Sequence, residues 1–155
     1  MKYLFSVVLL TFLFSCHSET RDKKKNEQIE NDVLSLMKKI ERSDKKSLRN
    51  LLIKFTDFSN QVSGDIKSTY SGFAFNYPQE NPDKFFSTLH QTDKKIIDKW
   101  VKTSVDELKL VLDNVDNPKK FFRHFKKDLN KKLQRLGHKE QELGGYYLKK
   151  LNALK

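Results

Sequence analysis

The chain has 155 residues and a net charge of +11, with 26 lysines to 5 arginines, twelve phenylalanines, ten asparagines and only two alanines. That length suits one domain and is short for two. The Lys/Asn/Phe skew matches coding in an AT-rich genome, so where the lysines fall says more than how many there are. No Gly-rich phosphate loop and no Gly-x-Ser-x-Gly elbow occurs. None of His17, His90, His124 and His138 is expected to pair with another histidine or a carboxylate at the i, i+4 or C-x-x-C-like spacing that a metal site requires. The acids have local roles: Asp106 and Glu107 as helix-start charges, Asp65, Asp83 and Asp93 likewise. Neither enzyme nor cofactor chemistry is expected.

Lys2 gives a positive start, and the run from Tyr3 to Phe14 is apolar apart from Ser6 and Thr11. A charged n-region, a short apolar h-region and a small residue before the cut mark a secretory signal. The run is short of the ~20 apolar residues a membrane span needs. Leu13-Phe14-Ser15-Cys16 follows, and it resembles the lipobox of bacterial lipoproteins, with Phe14 bulkier than the usual occupant of its position. The resemblance implies that residues 1 to 15 are removed and that Cys16 becomes the lipid-bearing N-terminus, its sulfur a thioether to diacylglycerol and the protein modified with acyl chains such as palmitate. Cys16 is the single cysteine. Acylated, it leaves no thiol for a disulfide, a thiolate metal site or catalysis, and it resolves the oddity of a lone cysteine in a secreted chain.

Residues 16 to 28 are polar, with Arg21-Asp22-Lys23-Lys24-Lys25 at their centre, and read as a flexible tether. A helical domain over 29 to 155 follows. Its first stripe is Val33, Leu34, Met37 and Ile40. Ser43 is a candidate N-cap for a second helix, whose stripe runs through Leu48, Leu51, Leu52, Phe55, Phe58, Val62, Ile66 and Tyr70. Gly64 weakens that helix without ending it, Ser71-Gly72 stops it, and Phe73 to Glu80 is irregular. Asn81-Pro82 opens a short helix burying Phe85, Phe86 and Leu89. Thr92 caps a segment with Ile96, Ile97, Trp100 and Val101 inward. Ser104 to Glu107 matches a capping box, so the helix restarts there with Leu108, Val111 and Leu112. Asn117-Pro118 opens another helix, closed by Gly137 in the left-handed conformation, and a last piece follows Gly144-Gly145 with Tyr146, Tyr147, Leu148 and Leu151. No segment alternates with period two. The expected fold is an all-α bundle of about five or six helices. Asn81 to Phe86 echoes Asn117 to Phe122 at a spacing of 36 residues, as two similar helix starts.

One constellation could bind a ligand. Between Pro118 and Leu136, Phe122, Phe125, Leu129, Leu133 and Leu136 form a seam for burial. Lys120, Arg123, His124, Lys127, Lys131 and Arg135 lie within about 120° of arc on the other side. From Lys119 to Lys139 there are nine Lys/Arg and one acid, Asp128. A ridge this dense attracts polyanions through its field and counterion release. Lys120, Arg123, Lys127, Lys131 and Arg135 are the candidate polyanion-binding residues. A solvated helix face in a lysine-rich chain is the plain alternative. Beyond a lipid anchor a glycosaminoglycan is the polyanion to expect; nucleic acid is not. Lying on anionic lipid ranks lower, because the apolar face is needed by the bundle.

The lipobox, the tether and the Lys/Asn/Phe-rich helices together resemble small plasmid-encoded surface lipoproteins of spirochaetes. The stretch from Phe85 to Phe125, with Lys94-Lys95-Ile96-Ile97-Asp98-Lys99-Trp100 and Asp113 to Phe122, is similar in cadence to the Mlp-type lipoproteins. The resemblance implies a surface antigen anchored in the bacterial outer membrane and facing the host, with no catalytic residues. The expected function is non-enzymatic interaction with host or extracellular ligands, a glycosaminoglycan or a host protein, by a monomer. A structural or immune-exposed coat lipoprotein without a specific ligand, and a periplasm-facing accessory lipoprotein of an envelope complex, remain open.

Overall fold

Helical periodicity and Asn-Pro starts dominate the chain, and the backbone follows them. The computed structural model describes residues 3–89 and 93–153, with side-chain surroundings from residue 23 onward. Among the described residues there are seven helices and no strand: α1 (Tyr3–Arg42), α2 (Lys45–Asp57), α3 (Gly64–Glu80), α4 (Pro82–Thr88), α5 (Lys94–Asn114), α6 (Pro118–Leu133) and α7 (His138–Ala153). The all-α bundle is as expected, with seven helices in place of five or six. One core, running from Val33 to Leu151, draws on all seven. No helix among the described residues is long and apolar enough to cross a membrane.

The backbone of α1 continues through the segment read as a flexible tether, and residues 23 to 28 are helical and exposed. Their Lys, Glu and Gln are good helix formers. The inner face of α1 is Val33, Leu36 and Ile40, with Ile29 and Met37 beside it. Leu34 is only half-buried, because it stands 100° round the helix from Val33 whereas Leu36 and Ile40 stay on its side. Asp44, not Ser43, is the N-cap of α2: its carboxylate accepts from the Ser47 N–H at 3.1 Å, a bond that holds the Asp44 carboxyl below its ordinary value. The Ser43 hydroxyl donates back to the Lys39 carbonyl at the end of α1.

The stripe expected along one helix from Leu48 to Tyr70 lies on two. α2 stops at Asp57, and the chain re-enters helix at Gly64, whose φ of +58° is left-handed and suits glycine. The Tyr70 hydroxyl donates to the Phe55 carbonyl in the last turn of α2, satisfying a helix-end acceptor across the break.

Ser71-Gly72 does not stop α3, and residues 73 to 80, expected to be irregular, are helical with Pro78 inside the helix. A proline has no N–H for the carbonyl four residues before it, here Ala74. The buried Trp100 supplies the missing donor, its Nε1–H meeting the Ala74 carbonyl at 2.7 Å. Burial of Tyr70, Ser71, Ala74, Phe75, Tyr77 and Pro78 outweighs the local breakers. Trp100 also anchors the aromatic core, with ring centroids 4.6 Å from Phe55, 5.0 Å from Phe85 and 6.4 Å from Tyr77. Burial raises the Tyr70 and Tyr147 phenols above their ordinary value and pushes Tyr77 up to about 12. All three favour the folded state below the ordinary tyrosine range near ~10 and oppose it as pH rises past that range.

Asn81-Pro82 opens α4 with proline in the first turn, and Phe85, Phe86 and Leu89 are buried as expected. The cap expected at Thr92, and His90, lie outside the described residues; Asp93 holds the N-cap position of α5. That helix does not restart at Ser104. Ser104 is fully buried inside it and donates to the Trp100 carbonyl at 2.9 Å, so Asp106 and Glu107 are mid-helix residues and not helix-start charges. A buried serine can satisfy itself on the preceding turn of an unbroken helix, which the capping-box pattern does not distinguish. Ser104 faces Tyr147, and both side chains are fully buried.

Asn117-Pro118 opens α6 as the sequence implied, Asn117 Oδ1 accepting from the Lys120 N–H at 2.9 Å. Gly137 is not left-handed; α6 ends at Leu133 and the turn is made before Gly137 is reached. Gly144-Gly145 does not precede the last helix but lies within α7. Gly144 is there for space: a Cβ on it would come within 2.4 Å of the Leu133 side chain on α6. Gly145 is exposed and open.

Two outcomes follow for stability. Gly144→Ala should destabilise the fold by roughly 1–3 kcal/mol through overpacking, whereas Gly145→Ala should stabilise it by up to about 1 kcal/mol through helix propensity; urea denaturation of the two variants distinguishes them. Trp100→Phe orphans the Ala74 carbonyl and should cost at least ~1–3 kcal/mol. Pro78→Ala restores an N–H to that carbonyl, so the double variant should be more stable than the sum of the singles predicts, by about 1 kcal/mol or more. Additivity would show that the two groups do not share the acceptor.

Candidate functional site

The seam and the ridge of α6 separate as the 3.6-residue period requires. Phe122, Phe125, Leu129 and Leu133 are buried and Leu136 is half-buried. Phe125 stacks on Phe75 of α3 at 5.4 Å and on Phe122 at 5.7 Å. Lys120, Arg123, Lys127, Lys131 and Arg135 are all exposed, and no ion pair is formed by any of them among the described residues. Four of the five stand on α6; Arg135 stands in the turn beyond its last residue. His124 lies among them, its Nδ1 2.8 Å from the Lys120 carbonyl.

The flanking lysines are engaged differently. The Lys126 ammonium sits 5.3 Å from the Phe122 ring centroid, a cation–π contact. Lys132 donates to the Gln79 carbonyl at 2.6 Å, placing a cation on the C-terminal end of α3, where the helix dipole is negative. These two belong to the fold, and the ridge proper is the set that forms no ion pair among the described residues.

The domain's Lys/Arg–carboxylate pairs lie elsewhere. Arg49 holds the buried Asp93 through Nε at 3.0 Å and a terminal nitrogen at 2.7 Å. Lys67 meets Asp106 at 2.8 Å, Lys99 meets Asp57 at 3.4 Å, and Lys150 meets Asp98 at 3.0 Å. Every one of these pairs involves α5 or its N-cap residue, and none reaches α6. The sequence showed the ridge's density; the commitment of these acids to α5 is a tertiary fact with no linear signal.

One reading of the histidines is corrected. His138 does stand at helical i, i+4 spacing from a carboxylate, with Nδ1 3.5 Å from Glu142 Oε1 on the exposed face of α7, and His124 and Asp128 have the same spacing. No group of three or more His, Cys, Asp or Glu that could hold a metal occurs among the described residues. The side chain of Cys16 lies outside the described residues, although the backbone of α1 passes through it.

No protein-family model matches the chain, no curated protein is significantly similar to it, and no solved structure matches it.

Proposed function

We propose that this chain is a non-enzymatic lipoprotein, anchored through acylated Cys16 to the bacterial outer membrane at the cell surface, whose helical domain binds polyanions along the basic face of α6, sulfated glycosaminoglycans first among them. The observation that supports the binding reading is charge segregation. Nine Lys/Arg against one acid fall between Lys119 and Lys139, and the ridge cations are exposed and form no ion pair among the described residues, while the acids of the ion pairs serve α5. Cations held on a rigid helix attract a polyanion by summed potential, and counterion release makes the affinity steeply salt-dependent. The seam residues are consumed by the core, which disfavours a helix lying in a lipid surface. The anchoring and the kinship with Mlp-type surface lipoproteins rest on the residues around the lipobox and between Phe85 and Phe125.

Acylation has a direct outcome: the native protein should partition into the detergent phase, and Cys16→Ala should leave it unprocessed or in the aqueous phase. Normal detergent partitioning by that variant would remove the lipoprotein reading. For the ridge, heparin retention should fall severely when Lys127 and Lys131 are changed together to Glu, with helicity and Tm nearly unchanged, because both side chains are exposed and unpaired. Lys38 and Lys39 changed to Glu on α1 is the charge-matched control. Equal loss in both double variants would reduce the ridge to part of a diffuse cationic surface, and no retention of the unaltered protein at physiological salt would end the site.

A further inference from the structure

A cleft of about 500 Å³ opens where the α2–α3 connection and the first turns of α3 meet the middle of α5, a size within the range of small-molecule sites. Its apolar side is the half-buried Val105 above the buried Val62 and Tyr70, and three lysines, Lys67, Lys99 and Lys102, stand around it. Tyr70 lies beneath the cleft, only 1% exposed, its hydroxyl donating to the Phe55 carbonyl. Two of the lysines already hold carboxylates of the protein: Lys67 has Asp106 and Lys99 has Asp57. Lys102, exposed on the same helix, has no carboxylate partner among the described residues. The lysines are thus one carboxylate short.

We propose that this cleft is a binding site for a small organic carboxylate with a compact apolar body, the carboxylate meeting Lys102 and the body resting on Val105 over the buried Val62 and Tyr70. An inorganic anion would leave the apolar surfaces uncovered, and a neutral hydrophobe would leave the lysine unmatched. The site is separate from the ridge of α6 and does not depend on it.

Phenylacetate is a suitable probe, with acetate supplying the charge alone and benzyl alcohol the ring alone. In an amide NMR titration of the full chain, phenylacetate should move the resonances of Ser59, Thr103 and Val105 together, and bind at least about tenfold more tightly than either half-probe. Lys102→Glu should weaken phenylacetate by about tenfold or more, while Lys95→Glu, an equal charge change on the same helix, should not. Lys127→Glu with Lys131→Glu should leave phenylacetate unaffected, which separates this site from the polyanion reading. No movement, movement centred on α6, equal binding of acetate, or equal loss in the Lys95 and Lys102 variants would each overturn the proposal.

Discussion

The hydrogen bond from the Trp100 indole to the Ala74 carbonyl is the constraint around which the bundle is arranged. Pro78 opens the gap in the α3 ladder and α5 closes it from outside, so neither helix is satisfied alone. The pairing of α3 with α5 is the most extensive in the fold. Seating the indole there fixes the rotation of α5: Ile97, Val101, Ser104 and Leu108 turn inward with it. Asp98, Asp106, Lys99 and Lys102 are left on the accessible sides, where the ion pairs and the cleft are formed. Phe55, Phe85 and Tyr77 then close around the indole, bringing in α2, α4 and the far end of α3. α6 reaches α3 through the separate stack of Phe125 on Phe75.

Where a local rule and the tertiary environment agree, the sequence was legible. Asn117-Pro118 could be read because the cap and the ring act within four residues, and the α6 seam because one apolar face recurs over four turns. At Asn81-Pro82 the ring opens the helix in the same way, while the Asn81 side chain makes no cap hydrogen bond. Several of the misreadings share one physical cause. Ser71-Gly72, Pro78 and Ser104 look like boundaries because each weakens or competes with a local backbone bond, yet each is compensated by a group distant in sequence or by burial on α5. Gly144 carried the same ambiguity: its role is the approach of Leu133 from another helix, which no neighbouring residue signals. For the ridge, density and face were legible and freedom from pairing was not, since that depends on where the acids elsewhere are committed.

The ion pairs matter more for where they leave charge than for their own energy. Exposed pairs such as Lys67 with Asp106 contribute at most about 1 kcal/mol each. Arg49 with Asp93 is the structural one among them, a forked contact on a carboxylate only 5% exposed, and it ties α2 to the start of α5. By gathering cations and acids along α5, the fold leaves that part of the surface nearly balanced and the α6 surface uncompensated.

That imbalance gives the molecule an electric dipole moment as well as a net charge. Near a negatively charged surface that imbalance contributes a torque before any contact is made, in the sense that brings α6 forward. The range is set by the Debye length, about 8 Å at physiological salt and about 30 Å at 0.01 M. Dilute salt therefore lengthens the distance over which tumbling is biased, and raises the fraction of collisions that arrive in one orientation. The asymmetry of a single helix thus acts on the kinetics of encounter, ahead of any equilibrium affinity.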